Sequence, residues 1–268
     1  KHNIKESVKK NVNVTLKPSN PDELKDVLSK MTPDQLAALK EQISRMQEKD
    51  VDAEEAAPEE PADMYEYIYS RAEAFQDQDL RNICMRELTD NKEKLMYYPA
   101  AQKNHHAEMG GLLYHVKRML MMAERACEVY TNLNRELVMT GVILHDMEKI
   151  NEIQSNELGV STGYSFEGKM LGHLVQGVRT IDRLADELGM LREKAVMLEH
   201  MILSHHYEPE FGSPKKPLFP EAEMLHYLDM IDAKMFDMQD ALEKTEPGEF
   251  SDRVWTLDNR TLYRVKDE

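Results

Sequence analysis

Aromatic residues are scarce in this chain. They make up 7% of 268 residues, with a single Trp and six Phe. A core built from stacked rings is excluded. The 41% of hydrophobic residues, with 19 Met among them, implies an aliphatic, thioether-rich core instead. The length suits one large domain, or one domain with an extension. Long apolar runs are also missing: no stretch reaches the ~20 residues that a membrane span needs. The N-terminal "KHNIKESVKKNVNV" lacks the continuous apolar run of a secretion signal, and the missing initiating Met reads as a fragment or a processed form. The only two Cys, Cys84 and Cys127, have no metal-ligand spacing. Cys127, at helical spacing in "MMAERACEVY", reads as a reduced core thiol, so a reducing cytoplasm is the expected location. Positive charge is the last deficit. Against 50 Asp and Glu stand 34 Lys and Arg, for a net charge of −16. Nucleic-acid binding through a general basic surface is excluded, because that affinity comes from Lys and Arg on phosphates. Phosphate chemistry on such a chain needs a local cationic site, and a metal ion is the obvious supplier.

What is present is helical pattern. Residues 1–20 alternate weakly ("VNVTL") and read as the end of a strand. "NPDELKDVLSKMTPDQLAALKEQISRMQ" reads as two short helices, with Pro21 and Pro33 in first turns and Asn20 and Thr32 as caps. Residues 50–63 hold seven acids, two Pro and no base, the composition of a solvated linker. From Met64 onward helices are expected at 64–75, 79–96, 104–130, 135–153, 166–188, 191–206 and 221–242. The Gly-punctuated "ELGVSTGYS" and the four-Pro "YEPEFGSPKKPLFP" are expected loops. The fold class is therefore all-α: an N-terminal extension and linker over 1–61, a helical bundle over 62–245, and a tail over 246–268. The tail's aromatic stretch, Phe250 to Tyr263, is a candidate contact with a second copy of the chain.

Several polar residues stand on stripes that otherwise read as core. In "GVILHDMEKI", His145, Asp146 and Lys149 share a helical face with Val138 and Val142. A buried carboxylate costs several kcal/mol or more unless a partner or a cation meets it. His115 lies on a stripe with Leu112, Met119 and Met122. His173 shares one with Met170, Leu174 and Gly177, and His205 one with Leu198 and Ile202; His206 follows directly. Asp229 and Asp232 lie on the Leu225–Phe236 face. Any single His on an apolar stripe is more often a hydrogen-bonded core residue than a ligand. Five helices that each turn such a side chain inward are a stronger signal. Donors limited to His and Asp suit Mn, Fe, Co, Ni or Zn as a Lewis acid. Asp232 reads equally as a ligand or as an orienter of one. His200, five residues before His205, points elsewhere, and His2 and His226 carry no functional reading. His105–His106 read as the polar start of a helix.

The ordered set His115, His145-Asp146, His173, His205-His206, Asp229 resembles the HD-domain metal-dependent phosphohydrolase superfamily in its two-metal form. "HDMEK" is similar to the usual HD-x-G-K segment, with Glu148 where Gly is common. "NHHAEMGGLLYHV", "EGKMLGHL", "SHHYEPEFGSPKKPLFPEAEMLHYLDMIDAKM" and "EPGEFSDRVWTLDNRTLY" look more narrowly like the YhaM-type 3′-to-5′ exoribonucleases, over about residues 62–265. That family usually carries an OB-fold before the HD domain. Here about sixty residues precede it, too few and too helical for a whole barrel, so residues 1–17 read as its last strand or the OB-fold is lacking. The absence of a GYP segment after His206 argues against the cyclic di-GMP phosphodiesterases.

The resemblance implies two divalent metal ions, Mn being the first expectation. His115, His145, Asp146 and Asp229 would hold one. Asp146 would bridge to a second, held by His173 and His205 and, as an open choice, His206. Water between the metals would attack phosphorus in line. Lys149 would meet the phosphate as a point charge. His206, if not a ligand, is the candidate proton donor. Lys215 and Lys216, on the Pro-stiffened loop, would steer an anionic substrate or merely keep a loop tip solvated. The implied substrate is an RNA 3′ end, cut to nucleoside 5′-monophosphates. A phosphatase for mononucleotides or other small phosphate esters is the rival reading. A di-iron oxygenase and a degenerate scaffold remain further alternatives.

Overall fold

The computed structural model describes residues 57–101, 108–156 and 159–266. The chain divides into two compact units, Lys1–Asp52 and Ala53–Glu268, and the described residues belong to the second. The strand and two helices expected before residue 50, the first half of the acidic run, and His105–His106 lie outside the described residues.

Helix α1 (Pro61–Glu73) starts with Pro in its first turn, where the missing N–H is no loss. It buries Met64, Tyr65, Ile68 and Ala72, one stripe at helical spacing. The single helix expected over 79–96 is divided into α2 (Gln78–Asp90) and α3 (Lys92–Leu95). Asn91 makes the break: its amide donates back to the Glu87 carbonyl at 3.0 Å, competing with the backbone ladder. Asp77 caps α2 by accepting from the N–H of Asp79 and Leu80. Helix α4 (Gly111–Val129) begins only after Gly110, whose φ of 74° is left-handed. Helix α5 (Arg135–Leu144) is capped by Asn134, which accepts from Leu137 N at 3.1 Å.

Every residue of α5 from Leu137 to Leu144 is buried, so this helix is the core of the bundle. It packs against α2, α4, α8 (Arg192–Ser204) and α9 (Pro220–Glu243). Val138, Val142 and Ile143 are 0% exposed, and each contributes about 1.5–3 kcal/mol by leaving water. Gly141 lets α8 and α9 approach closely; a Cβ there would run into Met201 and press on Leu225.

The sequence expects this helix to run on to 153, but it stops at Leu144. Residues 145–148 wind more tightly, with Met147 N bonded to Leu144 O and Lys149 N to Asp146 O. A single turn follows as α6 (Lys149–Glu152), then a hairpin of β1 (Ile153–Ser155) and β2 (Ser161–Tyr164) in place of the expected loop. The strands are antiparallel, with Ile153 opposite Tyr164 and Gln154 opposite Gly163. Helix α7 (Phe166–Leu188) is capped by Ser165 and broken at Gly172, with φ 67° and ψ 167°. The stripe joining Met170 to His173 is therefore interrupted: Met170 is exposed and His173 buried. Cys84, rather than Cys127, is the thiol in the centre of the core; Cys127 is only partly buried.

The tail folds back. Phe250 pairs with Tyr263 and Val254 with Arg260 through isolated bridges, and the Arg264 guanidinium donates to carbonyls of Leu242, Glu243 and Thr245.

Candidate metal centre

Two of the imidazoles stand just past a helix end. His145 caps α5 and donates Nδ1–H to Val142 O at 2.8 Å; His205 caps α8 and donates Nδ1–H to Ile202 O at 2.8 Å. The other three are tied by the same ring atom. His115 Nδ1 is 2.8 Å from Asp232 Oδ2, His173 Nδ1 is 2.8 Å from Glu152 Oε2, and His206 Nδ1 is 2.7 Å from Phe211 O. Carbonyls and carboxylates only accept, so each Nδ1 carries the proton. Each Nε2 of a neutral ring is then a bare lone pair.

The Nε2 atoms converge with the Asp146 and Asp229 carboxylates. His115 Nε2 is 3.3 Å from His145 Nε2 and 3.4 Å from Asp229 Oδ1. His145 Nε2 is 3.3 Å from Asp146 Oδ2, and His173 Nε2 is 3.3 Å from Asp146 Oδ1. His205 Nε2 is 3.9 Å from Asp146 Oδ1. Asp146 Oδ1, His173 Nε2 and His205 Nε2 are all buried without a hydrogen-bond partner. Facing acceptors at such distances repel unless positive charge lies between them. Three groups of donors, His115–His145–Asp146, His145–His205–Asp229 and His173–His205–His206, have their ligand atoms within 4.8 Å of one another. This set of N and O donors fits divalent cations, and Asp146 lies between the two ends of the cluster.

The electrostatics agree. Asp146 is held well below the usual carboxylate range; its burial works the other way but is outweighed by His145 and Lys149. Asp229 is likewise held low against its burial, by the His115 hydrogen bond and the His145 charge. Burial pushes the His205 pKa well down, with His206 and His145 adding to it, and lowers His206 in the same way, with His173 assisting. Both rings therefore stay neutral, the state that ligates. His115 goes the other way, up to about 9: burial opposes the shift, and the Asp229 and Asp232 carboxylates overcome it, so without a cation its Nε2 carries a proton that a bound metal would displace.

Lys149 sits at the edge of the cluster, its Nζ 2.7 Å from Asp146 Oδ2. It does not lie one turn along the same helix, as the sequence pattern suggests, but reaches back from α6 across the tight 145–148 turn. Lys215 and Lys216 are exposed on the loop after the His pair, and Lys216 Nζ is engaged by Glu208 at 3.3 Å and by the Tyr207 ring at 4.4 Å. Asp232 orients: beyond its bond to His115 it accepts from Arg118 Nε at 2.6 Å. His200 is turned away, accepting from Leu218 N at 3.0 Å. His226, which the sequence leaves without a role, lies with Nδ1 2.8 Å from His205 O. Glu152 and Arg118 go unnoticed in the sequence: Glu152 reaches His173 across the hairpin rather than along one helix, and Arg118, three residues after His115, reads as an ordinary surface charge. A surface groove of about 790 Å³ lined by Tyr67, Met121, Tyr130 and Ile231 contains none of these ligands; the convergent donors, not the larger hollow, mark the chemistry. No described helix is long and apolar enough to cross a membrane.

Comparison with known proteins agrees with this geometry. The HD domain family matches residues 112–234, a span that starts just before His115 and ends just after Asp232. A relative named 3′-5′ exoribonuclease YhaM, from Geobacillus sp. (strain WCH70), is 45% identical over 210 residues, which are 78% of this chain. The chain spans 64% of that relative's length. No solved structure matches. With the HD-domain match across the ligand-bearing helices and the YhaM-type similarity beyond it, this chain belongs to the HD-domain superfamily.

Proposed function

We propose that this HD domain is a metal-dependent phosphodiesterase, acting as a 3′-to-5′ exoribonuclease that releases nucleoside 5′-monophosphates. The observation that carries the reading is the convergence of ligand atoms from His115, His145, Asp146, His173, His205 and Asp229, with Asp146 Oδ1, His173 Nε2 and His205 Nε2 buried and without a hydrogen-bond partner. The exoribonuclease name of the 45%-identical relative supports the choice of substrate. One cation would be held by His115, His145, Asp146 and Asp229, and a second by His173, His205 and His206, with Asp146 shared. Bound there, divalent ions, Mn²⁺ first among Mn, Fe, Co, Ni and Zn, would supply Lewis-acid activation of water and neutralise charge on the phosphate.

The chain's own residues do the rest. Asp232 and Glu152 fix the tautomer and tilt of His115 and His173. Lys149 adds a buried positive charge at the edge of the cluster, where a non-bridging phosphate oxygen would sit. His206 serves as a ligand rather than a proton donor: its Nδ1–H is committed to Phe211 O and burial keeps the ring neutral. Lys215 and Lys216 draw the anionic strand towards the loop.

The −16 charge favours a second reading, a phosphatase for mononucleotides or other small phosphate esters. Incubating the protein with Mn²⁺ and either a short 5′-labelled RNA or a panel of mononucleotides separates the two. A ladder shortened from the 3′ end is the expected result. Free phosphate from mononucleotides, with the RNA intact, would establish the phosphatase instead.

A further inference from the structure

The loop after the His205–His206 pair is built more tightly than a surface turn requires. Tyr207 has φ 68°, a left-handed conformation that a non-Gly residue holds only under constraint. The constraint is visible: the Tyr207 ring lies 4.7 Å from the His226 ring, and Lys216 Nζ stands over the Tyr207 ring at 4.4 Å. Pro209–Phe211 forms one 3₁₀ turn, and Gly212 follows at φ 101°. Gly212 presses on Leu174, next to His173, closely enough that a Cβ would stand 3.1 Å from Leu174 Cδ1. Ser213, 0% exposed, accepts the His206 N–H at 3.1 Å, and Phe211 O accepts the His206 Nδ1–H at 2.7 Å. Two residues of this loop thus clamp His206 from both its backbone and its ring.

Phe211 is the exception in a loop so constrained. Its carbonyl is bound to His206, yet the residue is 70% exposed. A lone exposed phenyl means little by itself. The backbone of this one is tied to the cluster through the shortest of the five imidazole contacts, and the chain carries a net charge of −16. A protein that grips single-stranded nucleic acid without a basic surface needs another source of affinity. Aromatic stacking supplies it for any base, because every base has a π-face.

Resting on the exoribonuclease reading, we propose that Phe211 is the stacking surface for a nucleobase at the 3′ end of the RNA. The same residue ties that base to His206, so base and phosphate enter in a fixed register. Phe211 binds substrate and takes no part in bond making.

The test compares wild-type protein with Phe211→Ala and Phe211→Trp in Mn²⁺, on a short 5′-labelled RNA, on the same RNA with an abasic 3′-terminal nucleotide, and on a base-free ester, a ribose-phosphate oligomer of the same length in which every nucleotide is abasic. Phe211→Ala is expected to raise KM for the RNA roughly tenfold, the scale of one lost base–aromatic stack, with kcat within about twofold. Phe211→Trp should restore KM. The abasic RNA should show little difference between wild type and Phe211→Ala, and the base-free ester none. An unchanged KM on RNA overturns the inference. So does an equal loss on RNA and on the base-free ester, which would show the residue acting only through His206. A change in the mass of the native particle on gel filtration of Phe211→Ala also overturns it, since the ring would then face another copy. Failure of the wild type to shorten any RNA defeats the exoribonuclease reading itself and this inference with it; RNA trimming that Phe211→Ala leaves untouched defeats this inference alone.

Discussion

Glu152 holds His173 by its Nδ1 at 2.8 Å, reaching from the last residue of α6 to the first residue after the Gly172 break in α7. The carboxylate fixes the tautomer, so the His173 lone pair faces Asp146 Oδ1. Removing such a partner typically costs 10–100-fold in metal affinity. Glu152→Ala is therefore expected to weaken Mn²⁺ binding about 10–100-fold at one of two sites, with Glu152→Gln, which still accepts a hydrogen bond, closer to wild type. Calorimetric titration of metal into the apo-protein reads both steps. Equal affinity in the wild type and Glu152→Ala would remove Glu152 from the cluster's support.

The partial legibility of this site follows from its construction. His115, Asp229 and Asp232 lie within long helices, so a period of 3.6 points them inward beside Leu112 and Leu225. His145 and His205 could be noticed in sequence for the same reason, but not their position as C-caps, because nothing in "VILHDMEK" announces where the ladder gives way to i→i+3 bonds. Glu152 was invisible, since its bond to His173 spans a hairpin whose Gly and Ser residues read as loop. Helix class was plain because buried positions recur on one stripe; strand β2, in which half-buried Ser161 and Gly163 alternate with exposed Thr162 and Tyr164, has no buried stripe to read.

Asp146 is the carboxylate on which both ends of the cluster depend. It meets His145 and Lys149 through Oδ2 and His173 through Oδ1. Asp146→Asn keeps the shape and removes the negative charge. In calorimetry, wild-type protein at Mn²⁺ about 100 times Kd should gain roughly 2.7 kcal/mol of stability over its chelated form. Asp146→Asn should lose most of that gain and all hydrolysis. A full Mn²⁺-dependent rise in Tm in Asp146→Asn would mean that the ions bind elsewhere.

Glu87 gives the protein a pH dependence separate from the cluster. Burial, with the nearby Glu148 charge adding to it, pushes its pKa from the ordinary 4.5 to about 7. A raised carboxyl pKa means that the folded chain favours the protonated form. The stability linked to this proton is complete below about pH 4.5 and is lost as pH rises through about 7. The loss amounts to roughly 3 kcal/mol at the alkaline end. Glu87→Gln keeps an acceptor for the Asn91 amide, which lies 2.9 Å from Glu87 Oε2, and cannot ionise. Urea titrations at pH 5 and pH 8.5 should show the variant gaining on the wild type with rising pH. Parallel behaviour of the two proteins across that range would place Glu87 at an ordinary pKa.

Gly172 decides where His173 stands. Its φ of 67° breaks α7, and a Cβ there would meet only Glu152 Oε1, at 3.6 Å. Space is therefore not the obstacle to a larger residue; backbone conformation is. At ψ 167° this is an extended positive-φ region open essentially to Gly alone; an L-residue there costs about 1–3 kcal/mol, and the helical alternative would carry His173 away from Glu152 and Asp146. Gly172→Ala should lower stability by about that amount and weaken metal binding at the His173 end. A D-Ala introduced at the same position by chemical ligation accepts positive φ, and should restore both. Restored stability without restored metal binding would show that the kink shapes the fold but does not position His173.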